Sequence, residues 1–362
     1  DRNIKHRLNV NNISPIDGRY KENVSELEGY FSEQALMRYR IMVEVEYLLS
    51  LVELKSFHKK RSLSKKTLSS LRSLYTEFSD KDFKQIKKIE SKTNHDVNAV
   101  VVFISEKLEK ISRRDLIPLV HFGLTSEDIN NTAYSLMTKG ATKNIMVPAI
   151  KNVLKELKKL ARRTKSLPML SLTHGQPATT TTLGKELAVF ISRIERELVL
   201  ISEINLLAKF SGATGSYAAH KAAFPKANWS VFAKKFIKRL GLGQSPITSQ
   251  IEPGDSIAGL LHSYVRINNI FSDFSLDMWL YISRNIFVQK NVSGEVGSST
   301  MPHKINPIFF ENAEGNLDVA NNNFSFLASR ITKSRLQRDL SGSTVFSCLL
   351  YTSDAADETV SV

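Results

Sequence analysis

The sequence predicts an all-α chain: a bundle of long helices with a smaller helical domain at the N-terminus. Three observations carry that expectation. Apolar residues recur at helical spacing over long stretches, strand-type alternation is scarce, and the Gly-, Pro- and Thr-rich breaks between stretches are short. At 362 residues there is room for two or three domains of roughly 100–200 residues each. The expected division is 1–121, an N-terminal helical domain; 122–347, the central bundle; and 348–362, a tail belonging to neither.

Each element follows from its residues. Leu36, Tyr39, Val43, Tyr47 and Leu51 step by three and four behind Ser32, whose hydroxyl suits an N-cap. "VNAVVVFI" at 97–104 is ambiguous by itself, but the "SEKLEKI" that follows favours helix. Pro148, Ile150, Leu154, Leu157 and Ala161 mark an amphipathic helix with proline in its first turn. Lys151, Lys155, Lys158, Lys159, Arg162 and Arg163 fit its solvated face. Leu187, Phe190, Ile194, Leu198 and Ile201 give another helix. From Ile257 to Ile286 apolar residues such as Leu260, Val265, Phe271, Phe274 and Trp279 lie on nearly every face, as in a helix inside a bundle.

Composition removes several function classes. With 42% apolar and 24% charged residues the chain is an ordinary globular one, and no apolar run approaches the roughly 20 residues a bilayer needs. "DRNIKHRLNV" at the start has no hydrophobic signal core; its first residue is not Met, which fits a processed chain or a piece of a longer one. The single cysteine, Cys348, excludes an internal disulfide and suits a reducing compartment, so a cytoplasmic location is expected. The net charge of +14 fits non-specific nucleic-acid binding, steering of a small polyanion, or a composition rich in Lys and Asn. No zinc-finger spacing or aromatic-interleaved RNA signature accompanies it, so no nucleic-acid partner is expected.

The unusual residues collect in the breaks: "SPIDGRY" (14–20), "KTNHD" (92–96), "HFGLTSEDINN" (121–131), "THGQPATTTT" (173–182), "GATGSYAAH" (212–220), "TSQIEPGD" (248–255), "GSSTMPHKINPIFFE" (297–311) and "SRLQRDLSGST" (334–344). HExxH, Cys/His clusters, P-loops, a dinucleotide GxGxxG and a GxSxG elbow are all absent. No metal or other cofactor is therefore expected, which leaves proton transfer by side chains. His174 stands out among the histidines because hydroxyls and a turn surround it. A helix beginning near Thr180–Gly184 would aim free N–H groups at an anion beside it, and imidazole suits protonation of a leaving group at neutral pH. His121, His220, His262 and His303 carry weaker signals. In 297–311, Ser298 can act as a base only if positive charge and N–H groups stabilise its alkoxide; Lys304 and the amides freed by Gly297 supply both. Pro307 fits the first helical position after Asn306, and Glu311 can orient a histidine.

"GSSTMPHKIN" resembles the signature of the fumarase/aspartase superfamily, with one residue before Met301. "SPIDGRY", "TNHDVNAV", "TSEDINN", "THGQPAT", "TSQIEP" and "SRLQRDLSGSTV" resemble the branch acting on succinylated purine nucleotides, from about residue 14 to about 345. The resemblance implies a long-helix bundle and β-elimination of fumarate from adenylosuccinate to give AMP, and from the succinylated carboxamide ribotide SAICAR. It implies that Ser298 removes the carbon-bound proton. Lys304 and Asn306 hold the adjacent carboxylate, and His174, paired with Glu311, protonates the departing nitrogen. His95, Thr125, Ser126 and Gln250 match positions that hold the succinyl group, with Asn94, Asp96 and Met301 in the same motifs. Arg19, Tyr20, Ser334, Arg335, Arg338 and Ser343 match nucleotide-binding positions; a guanidinium suits their phosphate. It also implies a homotetramer whose sites draw on three chains, so that one chain sends His95, His174 and Ser298 to different sites. An argininosuccinate-type substrate is the alternative, disfavoured because the paired arginines of "SRLQRDL" suit a phosphate it lacks. A basic helical scaffold for nucleic acid leaves "GSSTMPHKIN" unexplained.

"CLLYTSDAADETVSV" (348–362) departs from the family, which continues through further bundle helices and a C-terminal helical domain. It reads like a frame through a transposase adapter, so a non-native tail, a non-native Cys348 and a missing C-terminal domain are expected.

Overall fold

The computed structural model describes residues 14–54, 63–289, 305–342 and 344–346. Ser298, Met301, His303, Lys304, Ser343, Cys348 and the 348–362 tail lie outside these. Among the described residues helices dominate, and β-structure is confined to two small two-stranded pieces. In chain order come α1 (Glu33–Val52), α2 (Lys65–Thr76), α3 (Asp80–Thr93), α4 (Asp96–Lys110), α5 (Ser126–Ala141) and α6 (Val147–Arg163). An antiparallel hairpin, β1 (Pro168–Thr173) and β2 (Gln176–Thr182), leads into α7 (Leu183–Glu203). Next are β3 (Leu207–Ala208), α8 (Trp229–Arg239) and β4 (Gly243–Gln244), with β3 and β4 paired in parallel. The long helices α9 (Asp255–Ser283) and α10 (Ile308–Ile331) complete the bundle.

α1 begins where Ser32 accepts a hydrogen bond from the Ala35 N–H. Its apolar residues are buried on all sides, Ile41, Val43, Val45, Tyr47 and Leu48 completely. A helix so enclosed can keep charges only by pairing them. Each buried charge is paired: Arg40 with Asp96 at 2.6 Å, Glu44 with His121 at 2.5 Å, Glu46 with Arg72 at 2.7 Å.

α6 behaves as its spacing predicts, with Ile150, Val153, Leu154 and Leu157 inward and Lys151, Lys155, Lys159, Arg162 and Arg163 exposed. It continues from α5 through a π-turn at Thr142–Met146, with Pro148 in its first turn. Tyr264 of α9 donates a hydrogen bond to Thr142 there, at 2.7 Å. α9 buries Leu260, Leu261, Tyr264, Ile267, Phe271 and Phe274, and α10 buries Leu317, Ala320, Phe324 and Leu327. Each such large side chain is worth about 1.5–3 kcal/mol.

Four readings are changed or sharpened. "THGQPATTTT" is non-helical as expected and takes the specific form of a hairpin, because its run of β-branched threonines prefers extended backbone. α7 starts within the expected range, capped by Thr182, but β2 stands between that start and His174. Seven residues at about 3.3 Å each hold them roughly 20 Å apart, so the helix N-terminus does not serve this imidazole. Pro307 occupies the N-cap of α10 and Ile308 the first helical position, one residue later than expected. α9 is also not enclosed all round in one chain: Leu276, Trp279 and Leu280 remain 40–47% exposed.

Candidate active site

α3 ends at Asn94, whose φ of +49° is the left-handed conformation asparagine tolerates. The next residue, His95, already caps α4: its Nδ1 accepts from the Asn98 N–H at 3.2 Å. A backbone N–H can only donate, so in this capped state Nδ1 carries no proton and the ring hydrogen of neutral His95 sits on Nε2. Burial opposes ionisation of Asp96, but the Arg40 guanidinium and the Val97 N–H outweigh it and hold the carboxyl below the usual range. "TNHD" is thus a joint between two helices that presents one imidazole donor.

"TSED" is a second helix start. Asp128 accepts from the Thr125 N–H at 2.9 Å, half of a capping arrangement. The same buried carboxylate accepts from Ser211 N at 2.9 Å and Gly212 N at 3.2 Å, and meets Lys209 Nζ at 3.0 Å. It therefore ties the 121–126 loop to "GATGS". Gly215, at φ +71°, closes that loop onto 248–250; a Cβ there would fall on the Thr248 carbonyl oxygen. Beneath the 121–126 loop, Tyr47 donates to the Phe122 carbonyl at 2.7 Å and sits 2.9 Å from His220 Nε2. The tyrosine has one proton to give, so Nε2 is the donor in that pair. Burial pushes the His220 pKa down to about 4.

The two helix starts, at His95 and Ser126, face a cavity of about 1160 Å³ whose lining includes Asn94, His95, Asp96, Ser126, Arg338 and Arg40. Thr125 adjoins it, and Gln250 is half-buried beside Ser249, which donates to the Gln337 carbonyl at 3.0 Å. The two arginines of "SRLQR" separate: Arg338 lines the cavity, whereas Arg335 is exposed and paired with Asp339 at 2.9 Å. Ser334 accepts from the Asp339 N–H and shapes that turn. Arg19 lies over the Tyr20 ring, 5.5 Å from its centroid, and Tyr20 donates to Asn312 at 3.4 Å. That contact is at the start of α10, while the neighbouring Asp17 and Lys21 line the cavity with Arg338. Glu127, next to Ser126, is 8% exposed. Burial raises its pKa to about 7 despite the opposing pull of Arg338 and Lys209. Glu252 is likewise raised to about 7 by burial, against the Gly254 N–H that it accepts at 2.8 Å.

His174 is elsewhere. Thr173 and Gln176 pair across a two-residue turn in which His174 and Gly175 have φ of +53° and +69°. That is the left-handed pair a tight hairpin requires. The turn leaves the imidazole exposed at the tip. A Cβ at Gly175 would lie 3.4 Å from Arg284, just past the end of α9. Glu311 is at the same end, accepting from Trp279 Nε1 at 3.0 Å, and Asn306 precedes it by five residues. The cavity belongs to the opposite end of α9: Arg338 follows Gln337, which bonds Ser249, while Gly254 abuts Ile331. The 29 residues of α9 span about 42 Å. One copy therefore cannot bring His174 and His95 to the same ligand.

Sequence reasoning missed Arg40, Glu127, Asp128 and Lys209. Arg40 carried one usable signal, a cation within an otherwise apolar helical stretch; Lys209 and Asp128 sit 81 positions apart and carried none.

The sequence model of a family described as "Lyase" matches residues 18–320. The adenylosuccinate lyase of Dictyostelium discoideum is 47% identical over 344 residues, covering 93% of this chain and 74% of that enzyme. That of Escherichia coli (strain K12) is 44% identical over 334 residues, 92% of this chain and 73% of the enzyme. Among solved structures, a fumarate lyase from Mesorhizobium sp. BNC1 superposes with a TM-score of 0.73 at 18% identity, over 92% of this chain and 72% of that one. The β-carboxy-cis,cis-muconate cycloisomerase of Acinetobacter calcoaceticus sp. ADP1 gives 0.69 at 20%, over 92% and 74%. At those identities the structural likeness concerns the fold.

Proposed function

Because the chain belongs to this lyase family, the fumarase/aspartase superfamily, we infer that it is a C–N lyase releasing fumarate from adenylosuccinate. The products are AMP and fumarate; the parallel cleavage of SAICAR gives AICAR, and both steps serve purine nucleotide synthesis. One observation carries the reading: adenylosuccinate lyases are 44–47% identical across more than nine-tenths of the chain.

The chemistry divides between two faces of the substrate. Ser298 takes a proton from the succinyl carbon next to a carboxylate, and Lys304 and Asn306 stabilise the charge that carboxylate takes up. The electron pair left on carbon forms the double bond of fumarate as the C–N bond breaks. His174 hands a proton to the departing nitrogen, with Glu311 of an assembled site holding the imidazole. His95 and Ser126 on the cavity, with Thr125 and Gln250, hold the succinyl carboxylates, with Asn94, Asp96 and Met301 around them. Arg338 takes the phosphate, helped by Arg19, Tyr20, Arg335, Ser334 and Ser343. A substrate bearing two carboxylates and a phosphate suits a chain of net charge +14.

The separation of His174 from His95 supports sites shared between copies, and a homotetramer is the assembly we propose. Leu276, Trp279, Leu280, Ile308, Phe309 and Phe326 are 40–54% exposed on α9 and α10, an apolar face of the kind that covers itself by association. No helix among the described residues is long and apolar enough to cross a membrane, and a cytoplasmic location accords with the chemistry. The test is incubation of the full-length enzyme with adenylosuccinate, and separately with argininosuccinate. Release of AMP and fumarate from the first alone is expected; intact adenylosuccinate overturns the reading.

A further inference from the structure

Arg40 touches both helix starts that face the cavity. Its Nη2 lies 2.6 Å from Asp96 Oδ2, at the first residue of α4. Its Nε donates to Asn130 Oδ1 at 2.9 Å, one turn beyond Ser126 on α5, and its Nη1 faces Met37 Sδ at 3.6 Å. We propose that Arg40 is a positioning residue for the lyase reaction, fixing the spacing between His95 and Ser126 by bridging Asp96 and Asn130. The inference rests on the reading above, that this cavity receives the succinyl end of the substrate.

The geometry favours positioning over contact with substrate. Arg40 is only 3% exposed although it lines the cavity, and each guanidinium nitrogen faces a protein partner. A guanidinium is a flat, rigid fork, so bonds from it to two helices set the distance between them; an ammonium on a flexible stem sets no such distance. The link to His95 is short. The other oxygen of Asp96 accepts from the Val97 N–H at 2.8 Å, which locks the carboxylate to the first turn of α4, and His95 caps that same turn. Burying a cation is a poor device for stability, since a well-packed apolar side chain of similar volume is often as good or better. A role in holding the site accounts for its presence.

The test compares Arg40→Met, Arg40→Lys and Asn130→Ala in the assembled full-length enzyme, reading KM and kcat for adenylosuccinate separately. In the proposed shared sites His174 and Ser298 come from other copies, so kcat should stay within about threefold while KM rises about tenfold in Arg40→Met. Arg40→Lys should be nearly as impaired, because charge without the fork does not bridge. Asn130→Ala, which leaves the charge in place and perturbs folding least, should raise KM in the same direction. An unchanged KM in Asn130→Ala, or full rescue by lysine, overturns the proposal and makes Arg40 a plain electrostatic contact or a packing residue. A wild-type enzyme that leaves adenylosuccinate intact would instead remove the functional reading beneath it.

Discussion

Lys209 and Asp128 form an ion pair at 3.0 Å in which neither side chain is exposed to solvent. The pair survives burial because both ions take further hydrogen bonds. Lys209 Nζ also donates to the Gly212 carbonyl at 2.6 Å, and Asp128 collects the N–H groups of Thr125, Ser211 and Gly212. Coulomb attraction alone would not repay the desolvation of two ions.

Lys209→Met should therefore destabilise the enzyme by about 3–5 kcal/mol, since it strands a buried carboxylate. Asp128→Asn combined with Lys209→Met should cost less than the sum of the two single changes, because no uncompensated charge remains. Denaturant midpoints of the three variants check this, and additive losses would contradict it.

Glu127 gives a pH signature whose sign is fixed by its burial. Its folded pKa of about 7 lies above an unfolded value near 4.3, so the folded state holds the proton more tightly. Stability from this group is full below the unfolded value and is lost as pH rises through about 7. Glu127→Gln should then stabilise the enzyme by roughly 2–3 kcal/mol at pH 8 and by almost nothing below pH 4. Arg338, Lys209, Arg40 and Asp128 also act on Glu127, and Glu252 feels its charge. Glu252→Gln, whose own carboxyl is raised to about 7, should show the same window. Thermal melts across pH that shift equally at both ends would refute the assignment.

Helices were legible because their signals are local. Ser32 before an apolar run named the start of α1, and the cation-free face of 150–161 named the side of α6 that packs. The hairpin was hidden because its turn needs positive φ at a histidine, a demand no composition rule announces. The breaks were legible as chemistry, yet their grouping was not. Arg335 and Arg338 are three apart and look equivalent, but a left-handed Leu336 (φ +50°) separates the exposed one from the one on the cavity. Lys209 with Asp128, and Arg40 with Asp96 and Asn130, are contacts between distant segments that only folding creates.

His95 has two jobs that can be separated. Asparagine also caps helices well, so His95→Asn should keep α4 anchored while removing the Nε2 hydrogen. Alanine loses both and should cost about 0.5–2 kcal/mol of stability. Both variants should weaken adenylosuccinate binding, with only the alanine form melting earlier. If the asparagine form binds substrate as the wild type does, His95 is a cap and nothing more.

The length of α9 leads to a prediction about mixtures. Its two ends are about 42 Å apart, with the cavity and His95 at one and the His174 hairpin at the other. A His95→Ala chain still carries an intact hairpin, and a His174→Ala chain an intact cavity. Each variant alone lacks one group in every site, and His174→Ala should lose at least about 10²-fold in turnover, as expected for a missing acid. The hairpin tip is exposed, so that loss should come with no loss of stability. When the two chains are co-expressed, random assembly should unite an intact cavity with an intact hairpin in about a quarter of the sites, since each group then comes from a different copy. Assayed with adenylosuccinate well below KM, where weakened binding also lowers the rate, activity of the purified mixture near a quarter of wild type, against far less for either variant alone, is the expected result. Mixtures no more active than the separate variants, although mass analysis shows hybrid oligomers, would mean that both groups serve one site from one copy, which the length of α9 forbids.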